Sequence, residues 1–89
     1  MSTTHIVVAQ SGWVFVGDIR EEGDRLHVTR AACVRRWGTT RGLGEIALGG
    51  PTSSTTLDPC GEVIIRLPAV LFTIPCTAER WEAVPELAG

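Results

Sequence analysis

"GWVFVGDIREEGDRLHVTRAACVRR", residues 12–36, decides how this chain is read. Residues 13–20, WVFVGDIR, are rich in β-branched and aromatic side chains, and EEGD at 21–24 places a glycine where a tight turn needs one. The chain then returns as RLHVTRAACVRRW, 25–37, with Leu26 and Val28 alternating against His27 and Thr29. A period of two is the mark of a strand with one buried face, so the stretch predicts a long antiparallel hairpin. Gly17 falls inside the first arm and predicts a bend or bulge, a device for curling a small sheet.

Working outward, HIVVAQ at 5–10 is a further short strand, ended by Ser11-Gly12, and completes an antiparallel meander. GEVIIRL at 61–67 and AVLFTIPC at 69–76 are two more, separated only by Pro68. A proline there removes one ladder donor and predicts a kink or a sheet edge. The tail, 77–89, has room for one helical turn near 78–83 before Pro85 stops it. Trp81 on that tail needs an apolar surface, on its own barrel or on a neighbour.

Five short strands, tight turns and little helix predict an all-β fold, a small barrel or roll of about five strands. The order of a bent hairpin, an irregular loop and two strands split by a sharp turn resembles SH3-like and Sm-like barrels. The 12–36 stretch is similar to the strand-turn-strand opening of Sm-like proteins, and VIIRLPAVLFTI at 63–74 to their final kinked pair. The RNA-contacting motifs of true Sm proteins are absent, so the resemblance implies architecture and not function. Apolar strands such as 63–67 and 70–74 are poor edges to leave exposed, which predicts a homo-oligomer. A monomer whose edges are covered by the C-terminal tail is the alternative.

The chain has 89 residues, enough for one domain spanning 1–89 with a modest core. Its net charge of −2 gives no global basic footprint, which makes nucleic acid an unlikely partner. All 8 basic residues are arginine, and Arg30, Arg35, Arg36 and Arg41 occupy a segment free of acids. Lys, Asn and Tyr are all missing, a pattern expected from a GC-rich genome. The 3 cysteines, Cys33, Cys60 and Cys76, are too widely spaced for a zinc site and read as reduced thiols, Cys33 and Cys76 buried. No apolar run reaches the roughly 18 residues that span a bilayer, and the N-terminus lacks a basic leader. The expected location is the cytoplasm of a bacterial host, away from the membrane.

Residues 38–61 form a Gly/Thr-rich connection of about two dozen residues, beyond the usual length of an inert loop. Leu43, Ile46, Ala47, Leu48 and Leu57 give it packing anchors, so it is expected to be ordered. GLGEIA at 42–47 matches a dinucleotide fingerprint, but Gly49-Gly50-Pro51 leaves no room for the helix that motif requires. A weaker reading remains: Gly/Thr backbone as an anion-binding nest, arginines for the charge, and Trp37 as a stacking face. The candidate ligand-binding residues are Arg35, Arg36, Trp37, Gly38, Thr39, Thr40, Arg41, Gly42, Gly44, Thr55, Thr56 and Asp58. Against it stands a plain alternative in which Trp37 closes the core, the glycines serve turns and the arginines face solvent. Asp58, preceding Pro59, is expected to cap the turn LDPCG. His5 and His27 stand on strands with no triad or metal pattern around them, so no catalytic residue, metal or cofactor is expected.

RRWGTTRGLGEIALGGPTSSTTLDPCGEV, 35–63, is similar to a group of small proteins from phages and prophages of GC-rich bacteria. They share a WGTT-[KR]-GLG block, then GPT, then T-x-LDPCG. The resemblance implies a phage-type origin and a shared architecture over about residues 28–76, and brings no catalytic residues with it. The expected function is therefore non-catalytic: an oligomeric barrel that binds a small anionic, nucleotide-like ligand, sequestering a host nucleotide signal or contacting a host defence protein. Two alternatives are an assembly protein whose 35–61 loop is the oligomer interface, and a module for single-stranded nucleic acid.

Overall fold

The computed structural model describes residues 4–39 and 41–87. Five strands, β1 (Thr4–Ala9), β2 (Val14–Glu22), β3 (Arg25–Arg36), β4 (Thr56–Arg66) and β5 (Val70–Pro75), are joined by short turns and one helix, α1 (Leu43–Gly49). They form one antiparallel sheet in the order β4-β3-β2-β1-β5. The β1-β2-β3 meander is as the sequence predicts, and the two strands on either side of Pro68, β4 and β5, stand at opposite ends of the sheet. The β2–β3 hairpin turns at Gly23, whose φ of +62° favours a residue without a Cβ.

Gly17 is where the sheet bends. The β2–β3 register shifts between Val16 and Asp18, and a Cβ on Gly17 would lie 2.7 Å from the Thr29 carbonyl oxygen. Across the shift, Arg30 takes a φ of +50°. Its Nε donates to Asp18 Oδ2 at 3.0 Å and its Nη1 to the Leu87 carbonyl at 3.1 Å, while the Thr4 hydroxyl donates to Asp18 Oδ1 at 2.9 Å. One carboxylate thus ties β1, the bulge and the tail together.

Alternation along the strands divides the core in two. Ile6, Val14, Val16, Ala32 and Val34 face one way and are covered by Leu43, Ile46 and Ala47 of α1 with Trp81, Val84 and Leu87 of the tail. Val7, Ala9, Leu26, Val28, Ala31 and Ile65 face the other way, with Phe15, Ile19, Val63 and Val70 packed against them. The tail folds as two single 3-10 turns, Ala78–Arg80 and Pro85–Leu87. Trp81 finds its surface on its own chain, 1% exposed, with Nε1 donating to the Ile46 carbonyl at 3.1 Å.

Two boundaries differ from expectation. The fourth strand begins at Thr56 and not at 61, because Pro59 is tolerated on an outer strand, where it pairs with Ala32, and Gly61 absorbs a register shift at φ +77°. The excursion expected over 38–61 is therefore shorter, and α1 fills its middle. Leu43, Ile46 and Ala47 are spaced i, i+3, i+4 and all buried, the helical period inside a stretch that glycines make look irregular. Of the cysteines, Cys33 and Cys76 are half-buried and Cys60 is exposed; all three are free thiols. Among the described residues no helix is long and apolar enough to cross a membrane.

Candidate functional site

The loop after β3 is closed by a clasp of threonine hydroxyls. Thr55 Oγ1 donates to the Trp37 carbonyl at 2.7 Å and Thr52 Oγ1 to the Gly38 carbonyl at 2.8 Å. The same hydroxyls accept backbone N–H groups, Thr52 N–H into Thr55 Oγ1 at 2.9 Å and Ser54 N–H into Thr52 Oγ1 at 3.1 Å. Gly38 is required at this crossing. Its φ is +65°, and a Cβ there would lie 2.3 Å from the Ser54 carbonyl carbon.

The next candidates build the start of α1. The Thr39 hydroxyl accepts the Gly42 N–H at 3.0 Å, and Glu45 Oε1 accepts the Arg41 N–H at 3.0 Å. Glu45 reaching back in this way resembles half of a capping box. Gly42 precedes the helix at φ +86°, and Gly44, itself exposed, lies in its first turn. The N–H groups expected to form an anion nest are thus engaged within the loop at Arg41 and Gly42. Thr40 lies outside the described residues.

The remaining candidates converge at the far end of β3. Arg35, Arg36 and Thr56 line one open depression of about 370 Å³. Consecutive strand residues ordinarily point to opposite faces, but the β3–β4 register shifts between Val34 and Arg36, and a bulge there re-aims a side chain. Asp58 lies in β4 opposite Cys33, so it does not cap a turn as the Asp-Pro pair suggests; its Oδ2 meets Arg35 Nε at 2.9 Å. Arg36 makes no ion pair among the described residues, which leaves one positive charge uncompensated. Trp37 is 43% exposed, so it does not close the core.

Burial pushes the Cys33 thiol up, with Cys60 and Asp58 adding to the shift and Arg35 opposing it. Cys33 is therefore held as a thiol close to the arginine end of the sheet. No group of three or more His, Cys, Asp or Glu residues is placed to hold a metal ion among the described residues.

Sequence reading missed Trp13 and Phe15. Their rings lie 6.2 Å apart and 6° from parallel, with Trp13 58% exposed. Trp13, Arg35 and Cys33 line a second depression of about 290 Å³. The signal was available in W-x-F, two large aromatics at alternate strand positions, but only the strand register shows what lies beside them.

No family model matches the chain, and no curated protein sequence matches it. Among solved structures it is similar to a heptameric archaeal Sm protein, with a TM-score of 0.54 and 15% identity over 85% of this chain and 88% of that one. The similarity extends over most of both chains, and this chain has the Sm-like fold.

Proposed function

We propose that the protein is a phage-encoded, non-catalytic binding module that assembles with copies of itself and holds a small anionic ligand at the Arg35–Arg36 end of β3. The observation that carries the ligand reading is the depression shared by Arg35, Arg36 and Thr56, where only one arginine meets a carboxylate. Arginine forks suit the planar oxygens of phosphate. A role in sequestering a host nucleotide signal, or in contacting a host defence component, fits the phage-type signature of residues 35–63.

Self-assembly rests on the outer strands. β4 and β5 end the sheet, and each carries exposed apolar side chains, Ile64 on β4 and Leu71 and Phe72 on β5. Leu71 falls in the β1–β5 register shift, so it stands out from the ladder. Pro59 and Pro75 guard only one end of each strand, leaving 62–66 and 70–74 free to pair. The heptameric neighbour supports the same reading.

Native mass spectrometry of the purified protein tests both parts, giving subunit number and any retained small molecule. More than one subunit is expected, reduced to one by Phe72→Asp; a wild-type monomer at tens of micromolar overturns the assembly reading. Replacing Asp58 by Asn frees Arg35 and is expected to tighten pyrophosphate binding by about 2- to 5-fold, as exposed ion pairs are worth below about 1 kcal/mol. Unchanged affinity in Asp58→Asn and Arg36→Gln together overturns the ligand site.

A further inference from the structure

Trp13 is the most exposed of the aromatic side chains that the structure leaves at the surface, yet it is not loose. The turn Gln10–Gly12 before it is closed by the Ala9 N–H donating to the Trp13 carbonyl at 2.8 Å. Its ring runs parallel to that of Phe15, 6° apart with centroids at 6.2 Å, and Phe15 packs against the second core cluster. With 58% of the residue in water, the indole is accessible to a flat ligand. A rigid aromatic surface ordered before binding loses little entropy when a flat ligand lands on it.

The charge beside it follows from strand pairing. Phe15 pairs with Cys33 at the end of the β2–β3 ladder, and Trp13 and Arg35 each lie two residues beyond that pair. Both side chains line the depression of about 290 Å³, and Arg35 also lines the neighbouring one of about 370 Å³ with Arg36 and Thr56. The order across the surface is therefore Phe15, Trp13, Arg35, Arg36: an aromatic platform followed by two cations. The two depressions lie just below and just above the lower limit of small-molecule sites, about 300 Å³, and Arg35 lines both.

We propose that Trp13, backed by Phe15, is the base-stacking element of a nucleotide subsite whose phosphate is held by Arg35 and Arg36. This rests on the anionic-ligand reading above and adds the platform that fixes its chemical class. The occupant is a purine or pyrimidine ring bearing a phosphate one residue's width away. Such a group is offered by a free nucleotide or by one unit of a single strand. Stacking selects for a flat ring of either source and the arginines select for its phosphate. Trp37, the aromatic that the sequence points to, is not needed for this pairing.

The test is isothermal titration calorimetry on the full chain with three probes: cyclic di-adenylate, inorganic pyrophosphate and an oligoadenylate RNA octamer. Trp13→Ala is expected to weaken cyclic di-adenylate about 5- to 150-fold, the range for losing one base–aromatic stack. Trp13→Phe should restore most of it, while Trp13→Leu, which keeps apolar bulk and guards against a folding artefact, should not. Pyrophosphate binding should fall in Arg35→Gln and Arg36→Gln and be unmoved by Trp13→Ala. The octamer assigns the source: tighter binding than the dinucleotide, steeply weakened by salt, marks a strand, and the reverse a free nucleotide. Either supports the subsite. If Trp13→Ala binds cyclic di-adenylate like wild type while Arg36→Gln does not, the platform is overturned and the anion site stands. If no probe binds the wild type, both fall. If Trp13→Ala binds normally but dissociates into monomers, the aromatic pair belongs to a subunit contact and the proposal is overturned.

Discussion

Replacing Trp81 tests whether the tail is part of the fold's core. It is the largest fully buried side chain, inserted among Ile6, Ile46, Ala47, Val84 and Leu87. Truncation of a buried tryptophan to alanine costs about 3–5 kcal/mol. At roughly 0.05–0.15 kcal/mol per residue, an 89-residue domain has only about 4–13 kcal/mol in total. One kcal/mol moves the melting temperature of a domain this size by about 4–8 °C, so Trp81→Ala is expected to lower it by about 12–40 °C. Trp81→Phe separates packing from hydrogen bonding. The Ile46 carbonyl loses the indole N–H but keeps the Gly50 N–H at 2.8 Å, so no acceptor is stranded. That loss is worth about 0.5–1.5 kcal/mol, at least about 2–12 °C, with a smaller cavity adding to it. Circular dichroism melts at one fixed protein concentration measure both, since assembly makes melting temperature depend on concentration. An alanine variant within about 5 °C of wild type, or a phenylalanine variant as damaged as alanine, would refute the reasoning.

Two further predictions concern the loop and the thiols. Gly38→Ala combines a left-handed φ, worth about 1–2 kcal/mol, with a backbone clash at Ser54, so denaturant midpoints should show a loss above about 2 kcal/mol. Gly23→Ala, at a similar φ of +62° but with open space for a Cβ, should lose only the conformational part; equal losses sink the close-approach argument. Burial pushes the Cys76 thiol up to about 12 from its ordinary 9.0, a backbone hydrogen bond at Ile6 opposing slightly. Below pH 9 both states hold the proton. Between 9 and about 12 the unfolded chain releases it while the folded chain does not, so stability falls as pH rises through that window. Cys76→Ala should make the urea midpoint fall less between pH 8.5 and 11; an identical slope in both proteins contradicts the assignment.

What could be read from sequence was whatever local chemistry dictates. The 13–20 and 25–36 arms announce themselves by alternation, Gly17 by its place inside a strand, and Pro68 by the donor it removes, which the structure resolves as the single 3-10 turn Leu67–Ala69. Helix α1 was missed because glycines at 42, 44, 49 and 50 dominate a seven-residue element whose stability comes from what covers it. The start of β4 was missed because Asp58-Pro59 and Gly61 are turn residues everywhere except on an outer strand that can bulge. The candidate site followed the same division. Arg35 and Arg36 were legible as adjacent cations in an acid-free segment, but their shared depression depends on a register shift that no local pattern records. Thr55 reads as a ligand-binding residue, and only the fold shows it closing the loop together with Thr52. Trp13 became interesting only once β2 and β3 were paired.

The unequal burial of the three tryptophans gives the molecule its own optical readout. With no tyrosine in the chain, near-ultraviolet emission comes from indole alone. Trp81, 1% exposed, will emit at short wavelength and shift red only when the tail leaves the core, whereas Trp13 and Trp37 report from the surface near the arginines. Emission on the red side of the band therefore follows surface events, and the blue-side emission follows unfolding, in one unlabelled sample. A quencher that reaches Trp13 and Trp37 while sparing Trp81 separates the two signals without a single substitution.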